Sequence, residues 1–326
     1  MLVAEPEQTA ALDAFLNRLE KLHSSPTVAL RVMEITRQSE FEMEEVATCL
    51  ELDPALSASI FRLVNSSYYG LADEVTNLRH ALTYLGRRSL RLAVLSFGLV
   101  KTLVNGAPAQ FHQIYWKRSL TMAAAARECA KLTGNGQVDA DTAFSTGLIA
   151  DLGMLAMAQL ETERYIEVAQ EPDHTLELPK REREVFGFDH MMVSKRLMDR
   201  WQLPSELVEA VGNHHVYLPL ATPLSQVALV ANLIAETIWT PACPYMQPLQ
   251  QVLFRKLGLQ IDDLIGLVVA TQASVQENMA IFGVQLQAEI DLEAVELQAR
   301  EQFRIAASDL AEHPESVLPC SSVPIA

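Results

Sequence analysis

Ser89-Leu90-Arg91-Leu92-Ala93-Val94-Leu95-Ser96-Phe97-Gly98-Leu99-Val100-Lys101-Thr102-Leu103 is apolar nearly all round. A helix without a polar face cannot lie on a surface, so this stretch predicts a buried central helix with other helices packed around it. Helical spacing continues outward from it in both directions. Upstream, Asn77 caps a helix over Leu78–Leu85, and Gly86 ends it. Downstream, Asn105-Gly106-Ala107-Pro108 is the clearest break in the chain, and a subdomain boundary is expected there. Nearer the N-terminus, Leu12, Phe15, Leu16 and Leu19 mark a first helix, Val28, Val32 and Ile35 a second, and Glu42–Leu52 a third. Asp53-Pro54 reads as an N-cap followed by proline at the first helical position. The helix it opens runs to Asn65-Ser66-Ser67, where Asn65 is expected to fix the following turn and Gly70 to close it, the alternative being a partner-contact role for Tyr68 or Tyr69.

Beyond the break, helices are expected near Ile114–Leu132, Thr142–Leu160, Pro179–Val185 and His190–Trp201, the last capped by Asp189. Leu203-Pro204 opens another that ends at His214-His215, and Leu224–Ile238 forms one more. After a loop at Pro241–Pro248, Ile261–Phe282 and Leu292–Leu310 read as long helices. No stretch reads as a strand, and 13 glycines and 15 prolines are few for an all-β chain of 326 residues. The expectation is all-α, with an N-terminal helical subdomain over 1–105, a second over 106–240 and a helical tail over 241–312. Residues 313–326, with three prolines and several serines, are expected to be disordered.

Half the residues are apolar (49%) and a fifth charged (20%), which excludes wholesale disorder. A net charge of −16 argues against broad affinity for nucleic acid or an anionic bilayer. Met1–Glu20 has no basic leader and carries Glu5, Glu7 and Asp13, unlike a signal peptide. The weakly charged run Leu92–Trp116 is interrupted by Lys101, Asn105, Gly106 and Pro108, too early for a membrane span. Cys49, Cys129, Cys243 and Cys320 are scattered, with no CxxC pair, as in a reduced cytoplasmic protein. Charge is uneven: Val75–Arg127 contains no acid, while from Glu277 onward only Arg300 and Arg304 offset many acids. The plain reading is solvated helix faces. The sharper one is a basic face that meets an acidic partner, this chain's own tail included.

Phosphate-binding glycine loops, an HExxH helix and a GxSxG elbow are all absent. The histidines carry more information. His190 opens one helix, His214-His215 close another, and Asp151 sits inside a third. Histidines and carboxylates gathered from separate helices are how an all-α protein builds a metal site. The competing reading of each histidine is a hydrogen-bonded residue near a helix end.

Several segments, in order, resemble the HDOD domain. They are Leu22–Val32, Asp53-Pro54-Ala55-Leu56, Arg62–Ser66 with Tyr69-Gly70, and Trp116-Lys117-Arg118-Ser119. Gly147-Leu148-Ile149-Ala150-Asp151-Leu152-Gly153, Glu182-Arg183-Glu184 with Gly187-Phe188-Asp189-His190, and Leu203-Pro204 with His214-His215 follow. The resemblance spans about Leu19 to Glu236 and implies an HD-like helical subdomain over 106–240. HDOD domains are similar to the HD metal-dependent phosphohydrolases, but most serve as bacterial signalling modules.

In catalytic HD relatives the metal ligands are a helical histidine, a His-Asp pair, further histidines and a late aspartate. By the resemblance, those positions here hold Arg118, Ala150-Asp151, His190, His214, His215 and Asn232. A guanidinium and a methyl replace two imidazoles, and an amide replaces a carboxylate. The expectation is therefore a remnant cavity with no metal, cofactor or catalysis, in which Arg118 pairs with Asp151. The implied function is a non-catalytic regulatory module that acts in trans on another signalling protein such as a kinase or cyclase. The alternatives are a metal-dependent phosphohydrolase, or a nucleotide sensor using Arg87, Arg88, Arg91 or Arg118.

Overall fold

Aspartate, asparagine, threonine and proline set many of the helix starts, as local chemistry requires. In this computed structural model, which describes residues 6–22, 27–38, 40–133, 136–170, 177–201, 203–216, 221–282, 284–286 and 289–312, no described residue lies in a strand. The first helices are α1 (Pro6–Leu22), α2 (Thr27–Ile35), α3 (Met43–Glu51) and α4 (Pro54–Val64). The long α5 (Leu78–Gly106) and α6 (Ala109–Leu132) follow, then α7 (Ala140–Ile149), α8 (Leu152–Leu160), α9 (Thr162–Gln170) and α10 (Leu178–Phe186). Next come α11 (His190–Arg200), α12 (Ser205–Gly212) and α13 (Pro223–Thr237). The chain continues with α14 (Met246–Lys256), α15 (Ile261–Phe282) and α16 (Leu292–Glu312).

The side chain of Asp53 accepts hydrogen bonds from the amides of Ala55 and Leu56, both at 3.1 Å, and Pro54 supplies the first helical residue of α4. Asn77 caps α5 by accepting from the Arg79 amide at 2.9 Å. Gly86, at φ 66° and ψ 172°, breaks α5 where the sequence predicts its first segment to end. The second segment carries the expected buried face: Leu90, Val94, Leu95, Val100 and Leu103 are buried and Leu92 is half-buried. Asn65 bonds both sides of the Val75 peptide, accepting from its amide at 2.8 Å and donating to its carbonyl at 2.9 Å. Tyr68 donates its hydroxyl to Asp141 at 2.9 Å and lies under the Arg127 guanidinium. The two Asn65 bonds hold the turn, as the sequence reading of Asn65 expects, while Tyr68 contacts α6 and α7 of the same chain.

Three apolar clusters form the core. One joins α1, the second half of α5, α6, α7, α8, α11 and α12 through Leu16, Leu95, Tyr115, Leu148, Leu155, Leu197 and Val211. It spans the break at Ala107-Pro108, so the N-terminal helices pack directly on those that follow. Another gathers α6, α7 and α13 to α16, and the third joins α2 to α5 with Ile281 of α15. The C-terminal helices are integral to this body. Phe282 of α15 stacks near Phe97, 4.8 Å between centroids, and Arg62 donates to the Ile281 carbonyl at 2.5 Å. The 140–160 stretch is long and apolar enough to cross a membrane, yet 89% of its most apolar 18-residue window is buried inside the protein.

The structure departs from the sequence reading at several points. The helix expected over Thr142–Leu160 is interrupted at Ala150-Asp151, and Asp151 (φ −89°, ψ 16°) precedes α8 instead of lying mid-helix. His214 and His215 fall beyond α12, which stops at Gly212, with Asn213 folding its amide back onto the Glu209 carbonyl at 2.8 Å. Helices α9 and α14 were not anticipated. Within α14, Pro248 occupies the first turn, where a missing N–H costs no helical bond. Within the C-terminal helices, Arg300 pairs with Glu296 and Asp262, and Arg304 with Glu301. Of the basic stretch, Arg79 pairs with Glu44 and Arg127 with Asp141. Cys49, Cys129 and Cys243 are buried free thiols. Residues 23–26 of the first motif, Cys320 and the whole 313–326 segment lie outside the described residues.

Candidate functional site

Small residues bring the site together. A Cβ on Gly147 would stand 2.4 Å from the Met122 carbonyl oxygen, so the close approach of α7 to α6 depends on its absence. A Cβ on Gly153 would stand 2.0 Å from the His190 carbonyl oxygen, which makes Gly153 the condition for α8 meeting the start of α11. Ser194 stitches the same junction, accepting from the Gly153 amide at 2.8 Å and donating to the Ala150 carbonyl at 2.9 Å. Asp189 caps α11 through the Met192 amide at 2.8 Å and thereby fixes His190 at its first position.

All six residues singled out from the sequence converge. Arg118 donates from Nε to Asp151 Oδ2 at 2.8 Å and from Nη2 to Asn232 Oδ1 at 2.8 Å, and its Nη1 bonds Glu236. Asp151 Oδ1 faces His214 Nε2 at 3.1 Å and His190 Nε2 at 3.5 Å. His190 Nε2 lies 3.4 Å from His214 Nε2 and 3.2 Å from His215 Nε2. Asp151, His190, His214 and Asn232 are fully buried, His215 is 2% exposed and Arg118 5%.

The remaining bonds dictate where the protons sit. Glu182 is buried and acts purely as an acceptor: Oε2 takes the His190 amide at 2.9 Å and His190 Nδ1–H at 2.7 Å, and Oε1 takes the Tyr165 hydroxyl at 2.6 Å. His214 Nδ1–H donates to the Val211 carbonyl at 2.6 Å. Each ring has therefore used its Nδ1 hydrogen, and both Nε2 atoms present lone pairs toward Asp151 Oδ1. Asn232, oriented by Arg118 at its oxygen, donates from Nδ2 to His215 Nδ1 at 3.2 Å, which leaves the His215 hydrogen on Nε2. Three acceptor atoms thus stand together; the His215 Nε2–H serves His190 Nε2 at 3.2 Å, and the remaining contact of His214 Nε2 with Asp151 Oδ1 at 3.1 Å needs an extra imidazole proton or a metal ion.

The electrostatics follow the same map. Burial alone would raise the Asp151 carboxyl, but Arg118 and His214 outweigh it and hold the group well below the usual carboxylate range. Burial works against the Arg118 cation, and Asp151 and Glu236 more than restore it, so its pKa is raised. His190 is lowered by burial but raised overall by Glu182. Burial, with His214 and His190 beside it, pushes His215 well below the ordinary imidazole value.

The sequence pattern of the HDOD domain matches residues 22–217. The chain belongs to the HDOD family. Solved structures share the fold: an HDOD domain protein of unknown function from Geobacter sulfurreducens is 20% identical, with a TM-score of 0.58 and coverage of 96% of this chain and 99% of its own. A protein from Shewanella amazonensis SB2B, provisionally named a metal-dependent phosphohydrolase, is 20% identical with a TM-score of 0.60, covering 85% of this chain and all of its own. One from Marinobacter aquaeolei VT8, provisionally named for signal transduction, is 19% identical with a TM-score of 0.62, covering 85% and 65%. An uncharacterized protein of Treponema pallidum (strain Nichols) is 23% identical over 242 residues, 69% of this chain. This HDOD chain spans 44% of that relative's length.

The HD superfamily implies metal, and the donor set can be tested against that. Donors of a tetrahedral ion bound at about 2.0–2.1 Å stand about 3.3 Å apart. The separations among His190 Nε2, His214 Nε2 and Asp151 Oδ1 are 3.1, 3.4 and 3.5 Å, and His215 completes a four-residue cluster within 4.8 Å. One ion fits the three donors of His190, His214 and Asp151, while His215 turns an N–H toward them because Asn232 donates to its other ring nitrogen. A second does not, because Arg118 occupies Asp151 Oδ2 and Asn232 Oδ1.

Two participants escaped the sequence reading of this HDOD cavity. Glu236 lies four residues after Asn232 on α13 and so shares its face, a spacing that could have revealed it. Glu182 lies within a family motif that does not mark it as a site residue. Only the fold shows it orienting His190, since α10 and α11 are brought side by side by the Gly187 turn (φ 82°).

Proposed function

We propose that this HDOD chain is a non-catalytic signal-transduction module that acts through contact with a separate signalling protein such as a kinase or cyclase, in the bacterial cytoplasm. The observation that carries this reading is Arg118, whose guanidinium is saturated by Asp151, Asn232 and Glu236 inside a cavity closed to solvent. Metal-assisted hydrolysis requires an ion with an open position for water and access for the phosphate. Here Arg118 already takes one oxygen of the carboxylate that would serve such an ion, and the cavity residues tie α6, α8, α11 and α13 together. The test is an assay of phosphodiester and nucleotide hydrolysis by the full chain with Mn²⁺, Fe²⁺ or Zn²⁺. No turnover above a His214→Gln control is expected. Metal-dependent turnover lost in that variant would overturn the reading.

The acceptor triangle favours a second reading, an HD-type site with a single ion. His190, His214 and Asp151 would hold it. A bound ion would polarise a phosphoryl oxygen and acidify a water. Stoichiometric divalent metal in the purified protein, lost with His190→Gln, would support this reading, and turnover in the same preparation would separate an enzyme from a metal-stabilised scaffold.

A further inference from the structure

A cleft of about 280 Å³ lies between α2, α5, α7 and α12 and is lined by none of the six cavity residues. Its floor is apolar, formed by Met33, Leu92, Leu95 and Leu207. Arg87 and Arg91 stand one turn apart on α5 and so share a face, and Glu206 of α12 lies across from them. The size suits a small organic molecule.

Arg91 is the anomaly. It is half-buried, and its Nε is buried with no hydrogen-bond partner. Burial, then Arg37 and Arg87, push its pKa down, so the charges acting on it are of its own sign. Glu206 lines the cleft without bonding Arg91. A partly desolvated guanidinium among like charges destabilises the fold unless an anion offsets it.

We infer that this cleft binds a small organic phosphate, with a ring-bearing body on the leucine floor and a phosphate monoester on Arg91 and Arg87. A monoester carries about −1.5 to −2 charge at pH 7, which answers more than one guanidinium where a carboxylate answers one. The planar fork of arginine matches phosphate oxygens in pairs. Glu206 repels a second anionic group at the far end and accepts from an N–H there, which favours a body such as an aminated base. The inference goes beyond the signalling reading and does not rest on it.

The test titrates AMP, GMP and phenyl phosphate into the full chain at low salt, with inorganic phosphate and benzoate as comparators, by calorimetry and thermal shift. At least one organic phosphate should bind saturably and raise Tm. Inorganic phosphate and benzoate should bind at least about tenfold more weakly, lacking the body and the second charge respectively. Arg91→Met should weaken binding roughly ten- to hundredfold without lowering the unliganded Tm. Leu207→Trp, which fills the cleft and leaves both arginines in place, should abolish it. Absence of any saturable binding overturns the inference, as does wild-type affinity in either variant. Equal affinity for inorganic phosphate or benzoate overturns the ligand class.

Discussion

Arg118 and Arg91 are both withdrawn from solvent, and their surroundings are opposites. Arg118 reaches Asp151, Asn232 and Glu236, and burial is repaid in full by two carboxylates. Arg91 has Arg37 and Arg87 as its charged neighbours, an unbonded Nε and an open cleft beside it. The first arginine belongs to the folded state: removing it strands charges. The second is a liability to the folded state: removing it relieves one. A functional role is easier to argue where a charge costs stability than where it supplies it.

The largest effect that would sharpen this contrast is Arg118→Ala. It leaves Asp151 and Glu236 buried without their cation and should cost about 3–5 kcal/mol in chemical denaturation. A loss below 1 kcal/mol would mean that the cavity admits water or an ion, and the comparison would collapse. Next is Gly153→Ala. Its methyl collides with the His190 backbone, so a loss of about 1–3 kcal/mol or more is expected, together with changed imidazole signals in NMR spectra. Unchanged histidine signals would show that α8 and α11 can part without disturbing the site.

Arg91→Met tests the other side. Replacing the unpaired cation with an apolar chain of similar length should leave stability equal or raise it by up to about 1 kcal/mol, given its partial exposure. A clear loss would reveal a stabilising partner for Arg91.

The smallest effect belongs to a surface clasp. Asp13 of α1 bonds Arg196 at 3.2 Å and Arg200 at 3.1 Å on α11. Arg196, which hydrogen-bonds it, lowers the Asp13 pKa below its ordinary value of 3.8. A depressed carboxyl stabilises above the unfolded value and loses that contribution as pH falls through the folded one. Asp13→Asn should therefore cost only a few tenths of a kcal/mol at pH 7, with the difference from wild type shrinking as pH falls below about 4 and gone once it passes the depressed folded value. Hydrogen exchange in α1 would report it. A difference that persists at pH 2 would assign the clasp to hydrogen bonding and not charge.

Much of this was legible before any coordinates, because its causes are local. Asp53-Pro54, Asn77, Asp189 and Gly86 act on backbone groups within a few residues, so the sequence by itself determined an all-helical chain, the ends of several helices and the buried face of Ser89–Leu103. Ordered motifs likewise determined the HDOD family and the six cavity residues, including the Arg118–Asp151 pair. The tertiary structure decided what depends on contacts between distant segments. The break at Asp151 and the turn holding His214 and His215 are imposed by packing at Gly153 and by the end of α12, which outweigh helical propensity. The convergence of Glu182 and Glu236, the lone-pair triangle and the solitary charge of Arg91 depend on which helices touch. A linear pattern of apolar and charged residues does not specify those neighbours, since charge balance and desolvation are set by atoms a few ångströms apart in space and tens of residues apart in the chain.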